Sequence, residues 1–152
     1  CSTSEEYQDI SSSLVKEAFE NILSAKVKLS DKPINEELYL MSISEDSAQL
    51  FTMNIENEDT FPTVYWIMTN CEITEKNFKN FANYAIGDKI QLTGTVAPEG
   101  FATQSQLSRE TMNFKVIEKI MNDKNLKDVS GDSVIGGITF NLSTCDIESP
   151  DQ

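Results

Sequence analysis

The chain contains no histidine among its 152 residues. Histidine is the commonest general base and metal ligand near neutral pH, so devices that pair serine or cysteine with histidine are excluded. The three cysteines, Cys1, Cys71 and Cys145, form no Cys-x-x-Cys pair of the zinc-binding kind. We therefore expect no metal site and no cofactor.

Basic residues and long apolar runs are also scarce. The chain has 12 Lys and Arg but 25 Asp and Glu, so its net charge is −13. Residues 36–70 contain seven acids and no base. Proteins hold nucleic acid largely through Lys and Arg, so this charge argues against nucleic acid as a partner. It either keeps the protein soluble or matches a basic partner surface. No run reaches the roughly 18 apolar residues of a membrane-spanning helix.

Cys71 and Cys145 are an even pair once Cys1 is set aside. In an oxidising compartment such a pair can form a disulfide. The alternative is two buried free thiols, and the sequence does not decide between them.

Carboxylates are the remaining candidates for chemistry. They lie in three groups, Glu36-Glu37, Glu45-Asp46 and Glu56/Glu58/Asp59, all in predicted loops or strand ends, where carboxylates are solvated. The stretch 123–133 lacks the register of a calcium loop, and the sequon at Asn141 is uninformative alone. We expect the protein not to be an enzyme.

The apolar pattern changes from helical to alternating along the chain. Spacings of three and four predict one amphipathic helix over residues 4–29, capped by Ser4, and a second over 73–88 that ends at Gly87-Asp88. Residues 99–111 read as a loop. Alternation predicts strands over 36–44, 48–56, 60–70, 89–98, 112–121 and 133–144.

The order strand, strand, strand, helix, strand, strand over residues 36–121 resembles that of an oligonucleotide/oligosaccharide-binding (OB) barrel. "SISEDSAQLFTMNI" (42–55) and "YAIGDKIQLTGTV" (84–96) resemble the first hairpin and the fourth strand of OB domains of the anticodon-binding-like type. Gly94 also suits a tight bend where a Cβ would collide with a crossing strand. We expect a mainly β protein with helices (α+β), a five-stranded OB-like barrel with an N-terminal helix and an extra C-terminal strand.

The OB resemblance implies where a ligand binds. OB domains bind on the face of strands two and three and at the flanking loops. Here that surface would carry the aromatic side chains Phe51, Tyr65, Trp66 and Phe101. In the alternative, Phe51 and Trp66 simply fill the barrel.

The opening "CSTS" resembles the mature N-terminus of bacterial lipoproteins, which are acylated on the first cysteine; a cloning boundary is the alternative. The resemblance implies lipid attachment at Cys1 and a membrane-anchored, extracytoplasmic location. The predicted parts are a tether (1–4), the helix and its connection (5–35), the barrel (36–121) and a C-terminal extension (122–152). We expect a non-catalytic binding module for a protein or peptide partner, with single-stranded nucleic acid binding or a structural role in the envelope as alternatives.

Overall fold

A computed structural model of the chain describes residues 7–58, 61–106, 112–126 and 134–148. Four helices and six strands lie in these ranges. In chain order they are α1 (Ser12–Glu20), α2 (Ile22–Leu29), β1 (Pro33–Ile43), β2 (Ser47–Glu58), β3 (Phe61–Glu72), α3 (Phe78–Phe81), β4 (Lys89–Val96), β5 (Ala102–Gln104), α4 (Phe114–Asp123) and β6 (Val134–Ile147). The expectation of a mainly β protein with helices is confirmed. None of the helices in the described ranges is long and apolar enough to cross a membrane.

The predicted N-terminal helix is two helices rather than one. Asn21 has an extended backbone (φ −156°), and its side chain accepts a hydrogen bond from the Leu23 N–H at 3.1 Å, so it ends α1 and caps α2. Ser11, not Ser4, caps α1 by accepting from the Leu14 N–H at 3.3 Å; Ser4 lies outside the described residues. A side chain that competes for backbone hydrogen bonds interrupts an otherwise helical pattern.

The strands pair in the order β3-β2-β1-β4-β6-β5, and β3 pairs in addition with β6. The β3–β6 pairing is parallel, while the other neighbours are antiparallel. β1, β2, β3, β4 and β6 therefore form a closed ring of pairings, and β5 pairs with residues 137–139 of β6, on the edge where β4 pairs with residues 142–147.

The predicted strand over 112–121 is wrong, because these residues form α4. Val116, Ile117 and Ile120 are buried at helical spacing, and the Asn113 side chain caps the helix by accepting from the Lys115 N–H at 3.0 Å. The fifth strand of the ring is instead β6, which lies beyond residue 121 and pairs with both β3 and β4.

Two further predictions changed in extent. The predicted helix over 73–88 shortens to α3, and Gly87 lies in a separate turn before β4, where its φ of 97° favours glycine. The predicted loop over 99–111 contains β5.

Gly94 lies where β4 pairs with β6. A Cβ at this position would collide with the backbone carbonyl oxygen of Thr144. The expectation that a crossing strand excludes a side chain here is confirmed.

The apolar side chains form two cores on opposite faces of the same strands. Successive residues of a strand point to opposite faces, and Leu38 and Leu40 of β1 belong to one core while Tyr39 and Met41 belong to the other. The inner core lies within the ring of five strands and includes side chains of α1, α2 and α3. The outer core lies between β1–β2–β3 and α4.

Candidate functional site

The aromatic residues of the predicted binding face do not form one surface. Phe51 is fully buried and Trp66 is 2% exposed, both in the outer core beneath α4. Tyr65 is buried in the inner core, where burial and the charge of Glu56 raise its pKa to about 12. Phe101 packs partly buried on Phe140, with ring centroids 6.3 Å apart. Phe51 and Trp66 thus fill a core, although it is the outer one.

A group of polar contacts fixes the N-terminus of α1. The Glu56 carboxylate accepts hydrogen bonds from the backbone N–H and the hydroxyl of Ser12. The Tyr65 hydroxyl donates to the Ile10 carbonyl oxygen at 3.0 Å. The Ser12 hydrogen bonds lower the pKa of Glu56, whereas burial raises the pKa of nearby Glu36. These contacts hold the helix in place.

A second polar group fixes the C-terminal end of α4 over the sheet. The Lys124 ammonium donates to Thr52 Oγ1 at 2.9 Å and to Asn54 Oδ1 at 2.7 Å, and burial lowers the pKa of Lys124. The Tyr39 hydroxyl donates to Asp123 Oδ2 at 2.8 Å, and burial raises the pKa of Tyr39. These hydrogen bonds tie the end of α4 to β1 and β2, so this group is structural.

No group of three or more cysteine, aspartate or glutamate side chains in the described ranges could hold a metal ion. Cys71 and Cys145 form a disulfide with their Cα atoms 5.8 Å apart. The bridge joins the end of β3 to the C-terminal half of β6. Cys1, the predicted site of lipid attachment, lies outside the described residues.

An open groove of about 670 Å³ lies where the β1–β2 turn, the end of β3 and α3 meet. We call it the acidic groove. Its apolar walls come from Ile43, Ile73, Phe78, Phe81 and Ala82, and its polar lining consists of Ser44, Glu45, Glu72, Thr74 and Glu75. Ile43 and Phe78 are 40% and 46% exposed, so an apolar surface faces solvent beside three glutamates and no base.

Asn77 lies behind the acidic groove, between β3 and α3, and fixes the segments that line it. Its buried amide donates to the carbonyl oxygens of Glu72 at 2.9 Å and Cys145 at 3.2 Å, and its Oδ1 accepts from the Thr74 N–H at 2.8 Å. The Ile73 N–H donates to the Asp46 carbonyl oxygen at 2.9 Å. The side chain of one asparagine and the adjacent disulfide thereby hold three separate segments together.

A second groove of about 570 Å³ adjoins the first and shares Glu72, Thr74 and Glu75 with it. Its other residues are mainly polar and come from Lys76 and the stretch 142–146. The shared glutamates place negative charge along both grooves.

Phe78 is the residue of the acidic groove that stands out in the sequence. Phe78 reads as a core residue of a long helix, but α3 is short and Phe81 alone of this helix is buried. The two glutamates beside it, Glu72 and Glu75, could be seen in the sequence, but their nearness to the β1–β2 turn depends on long-range pairing.

No protein-family model, no curated protein and no solved structure matches this chain.

Proposed function

We propose that the protein is a non-catalytic binding module whose site is the acidic groove. Its partner is a protein or peptide segment that presents an apolar side chain flanked by lysine or arginine. The observation that carries the proposal is the exposed apolar surface of Ile43 and Phe78 beside three glutamates.

Both parts of the groove select this chemistry. Exposed apolar surface rimmed by polar groups is typical of protein interaction sites, because its burial releases water. Negative charge at the rim attracts a basic partner and repels an acidic one. The net charge of −13 acts in the same direction at longer range.

The ring of five strands supports the proposal of an OB-type barrel. Its pairings close through parallel β3 and β6, and α3 follows β3 as the helix of OB domains does. In this chain, however, α4 covers the outer face of β2 and β3, where OB domains bind nucleic acid. With Phe51 and Trp66 buried there, no observation favours the nucleic acid alternative.

The disulfide supports an extracytoplasmic location, because such bonds persist in oxidising compartments and are rare in the cytosol. Lipid attachment at Cys1 stays a prediction. Mass spectrometry of the natively expressed protein tests it, and an unmodified Cys1 would contradict it.

The binding test uses a fluorescent peptide in which leucine and phenylalanine are flanked by lysines. We expect fluorescence anisotropy to report saturable binding at low salt that weakens as salt screens the glutamates. Phe78→Gln and the double change Glu72→Lys/Glu75→Lys should each lower the affinity about tenfold or more. The control peptide has glutamate in place of each lysine and should not bind.

Phe114→Gln is the matched control variant, since Phe114 is 44% exposed on α4 and does not line the groove. It should bind the lysine peptide as the unchanged protein does. Equal loss in Phe114→Gln and Phe78→Gln, or no binding at any concentration, would show that the acidic groove is not the site.

A further inference from the structure

The surface of α2 has the chemistry that the acidic groove would recognise. Leu23 and Val27 are 65% and 76% exposed, the highest values for large apolar side chains in the described residues. They lie four residues apart on one helix and are therefore neighbours on its surface. The charged residues of α2 are Lys26 and Lys28, of which Lys28 pairs with Glu17 of α1 at 2.7 Å, and the helix contains no acid.

The charge of residues 16–32, which include α2, differs from that of the rest of residues 1–60. Residues 16–32 contain all four bases of residues 1–60 and three acids, a balance of +1. The other residues of 1–60 contain ten acids and no base. Leu23 and Val27 thus lie in the one part of residues 1–60 where bases balance the acids.

The α2 surface and the acidic groove lie at opposite ends of β1. The chain leaves α2 and reaches β1 at Pro33, and the Asp31 N–H donates to the Val96 carbonyl oxygen at 2.8 Å at this end. The groove is lined by Ile43, the last residue of β1. Eleven residues of strand separate the two ends by about 30 Å. One copy therefore cannot place its own α2 in its own groove.

We propose that the partner of the acidic groove is α2 of a second copy of this chain. Leu23 and Val27 of one copy pack on Ile43 and Phe78 of the next, with Lys26 beside the glutamates. This inference rests on the proposed function of the groove and names its occupant. Because the two surfaces lie at opposite ends of β1, each copy can use its α2 on one neighbour and its groove on another, so the contact is head-to-tail and extends into a closed ring of copies or a chain.

The contact is small, and two copies of net charge −13 repel each other at long range, so the association is weak in dilute solution and needs salt that screens this repulsion. Sedimentation velocity over a concentration series at about 0.15 M salt measures it on the full chain. The unchanged protein should form species larger than dimers. The groove variant Glu72→Lys/Glu75→Lys and the α2 variant Leu23→Gln/Val27→Gln should each need about tenfold more protein for the same degree of association.

Mixing the two variants is the decisive step. The α2 variant keeps an intact groove, and the groove variant keeps an intact α2. These two intact surfaces can form one contact, and the altered surfaces that remain cannot form a second. The mixture should stop at a one-to-one heterodimer. Circular dichroism melts confirm that each variant folds, and Phe114→Gln serves as the control that associates normally.

Three results would overturn the inference. If the unchanged protein stays monomeric but binds the lysine peptide, the groove is a peptide site whose partner is not α2. If it neither associates nor binds the peptide, the proposed function of the groove is wrong as well. A mixture that does not recover association would show that α2 of one copy does not enter the groove of the next. An α2 variant that associates normally but no longer binds phosphatidylglycerol vesicles would assign α2 to a lipid surface.

Discussion

The inner and outer cores lie on the two faces of the same three strands, yet they differ in composition. The inner core is built from leucine, isoleucine, valine and a few aromatic side chains, and it contains no methionine. The outer core contains or contacts all five methionines of the chain, which are Met41, Met53, Met68, Met112 and Met121.

Branched side chains have few rotamers and specify one packing, whereas methionine adapts to irregular gaps. The inner core is surrounded by strands that pair with each other, but the outer core is covered by α4 and its flanking residues. The difference indicates that the ring is the rigid part of the fold and that α4 is an adaptable cover. Four predictions test this, in order of expected effect.

The largest effect should come from the disulfide in the wall of the ring. Cys71→Ala/Cys145→Ala opens a link across 74 residues and should lower the free energy of unfolding by about 4 kcal/mol. Urea unfolding of the oxidised protein, the reduced protein and the double variant measures this. Equal midpoints for the oxidised and reduced forms would contradict the bridge as a main support of the ring.

The second prediction concerns a branched side chain of the inner core. Ile67 is fully buried in β3, and Ile67→Ala should cost about 3 kcal/mol through lost burial and the cavity that remains. We expect amide hydrogen exchange to rise throughout the ring. Exchange that rose only in β3 would argue against a single cooperative unit.

The third prediction concerns the carboxylate that supports α1 over the inner core. The pKa of Glu56 is lowered from its ordinary value of 4.5, so its contribution is present above that pH and is lost as pH falls through the lower folded value. Glu56→Gln should cost about 1 kcal/mol at pH 7. Below the folded pKa the variant and the unchanged protein should have similar stability, as thermal melts over a pH series would show.

Glu36 is the matched control for the pH series, because its pKa is raised mainly by burial. Its ionised form opposes folding, and this cost disappears as pH falls through the raised folded pKa. Glu36→Gln should therefore increase stability at pH 7. If both glutamine variants shift stability in the same direction, the pKa assignments are wrong.

The smallest effect should come from the outer core. Met53→Leu conserves volume and should cost less than about 1 kcal/mol, because the methionine-rich surroundings adjust. The matched inner-core change, Ile67→Leu, should cost more. Urea unfolding compares the two, and a larger loss for Met53→Leu would contradict an adaptable outer core.

Much of the ring could be predicted from local patterns. Strict alternation indicated β1, β2 and β4, and Gly94 marked the place where a strand crosses closely. The segment that became α4 was ambiguous, since Phe114 and Val116 alternate while Val116, Ile117 and Ile120 have helical spacing. The segment forms a helix because α4 covers the outer face of β1–β3. The sequence alone does not show this face.

The acidic groove could not be predicted, because it depends on contacts between distant segments. The Ile73 N–H meets the Asp46 carbonyl oxygen, and the Asn77 amide reaches Cys145, 68 residues away. In neither pair does the sequence around one residue indicate the residue that it contacts. The predicted aromatic face failed as a ligand surface for the same reason, since the burial of Trp66 depends on α4.

The position of β6 has a consequence for how the protein is made. This strand pairs with β3 on one side and with β4 on the other, so during synthesis both remain unpaired edges until the last strand leaves the ribosome. Exposed edges of this kind are prone to pair with other chains. The nascent protein therefore depends on protection from such pairing until β6 has emerged.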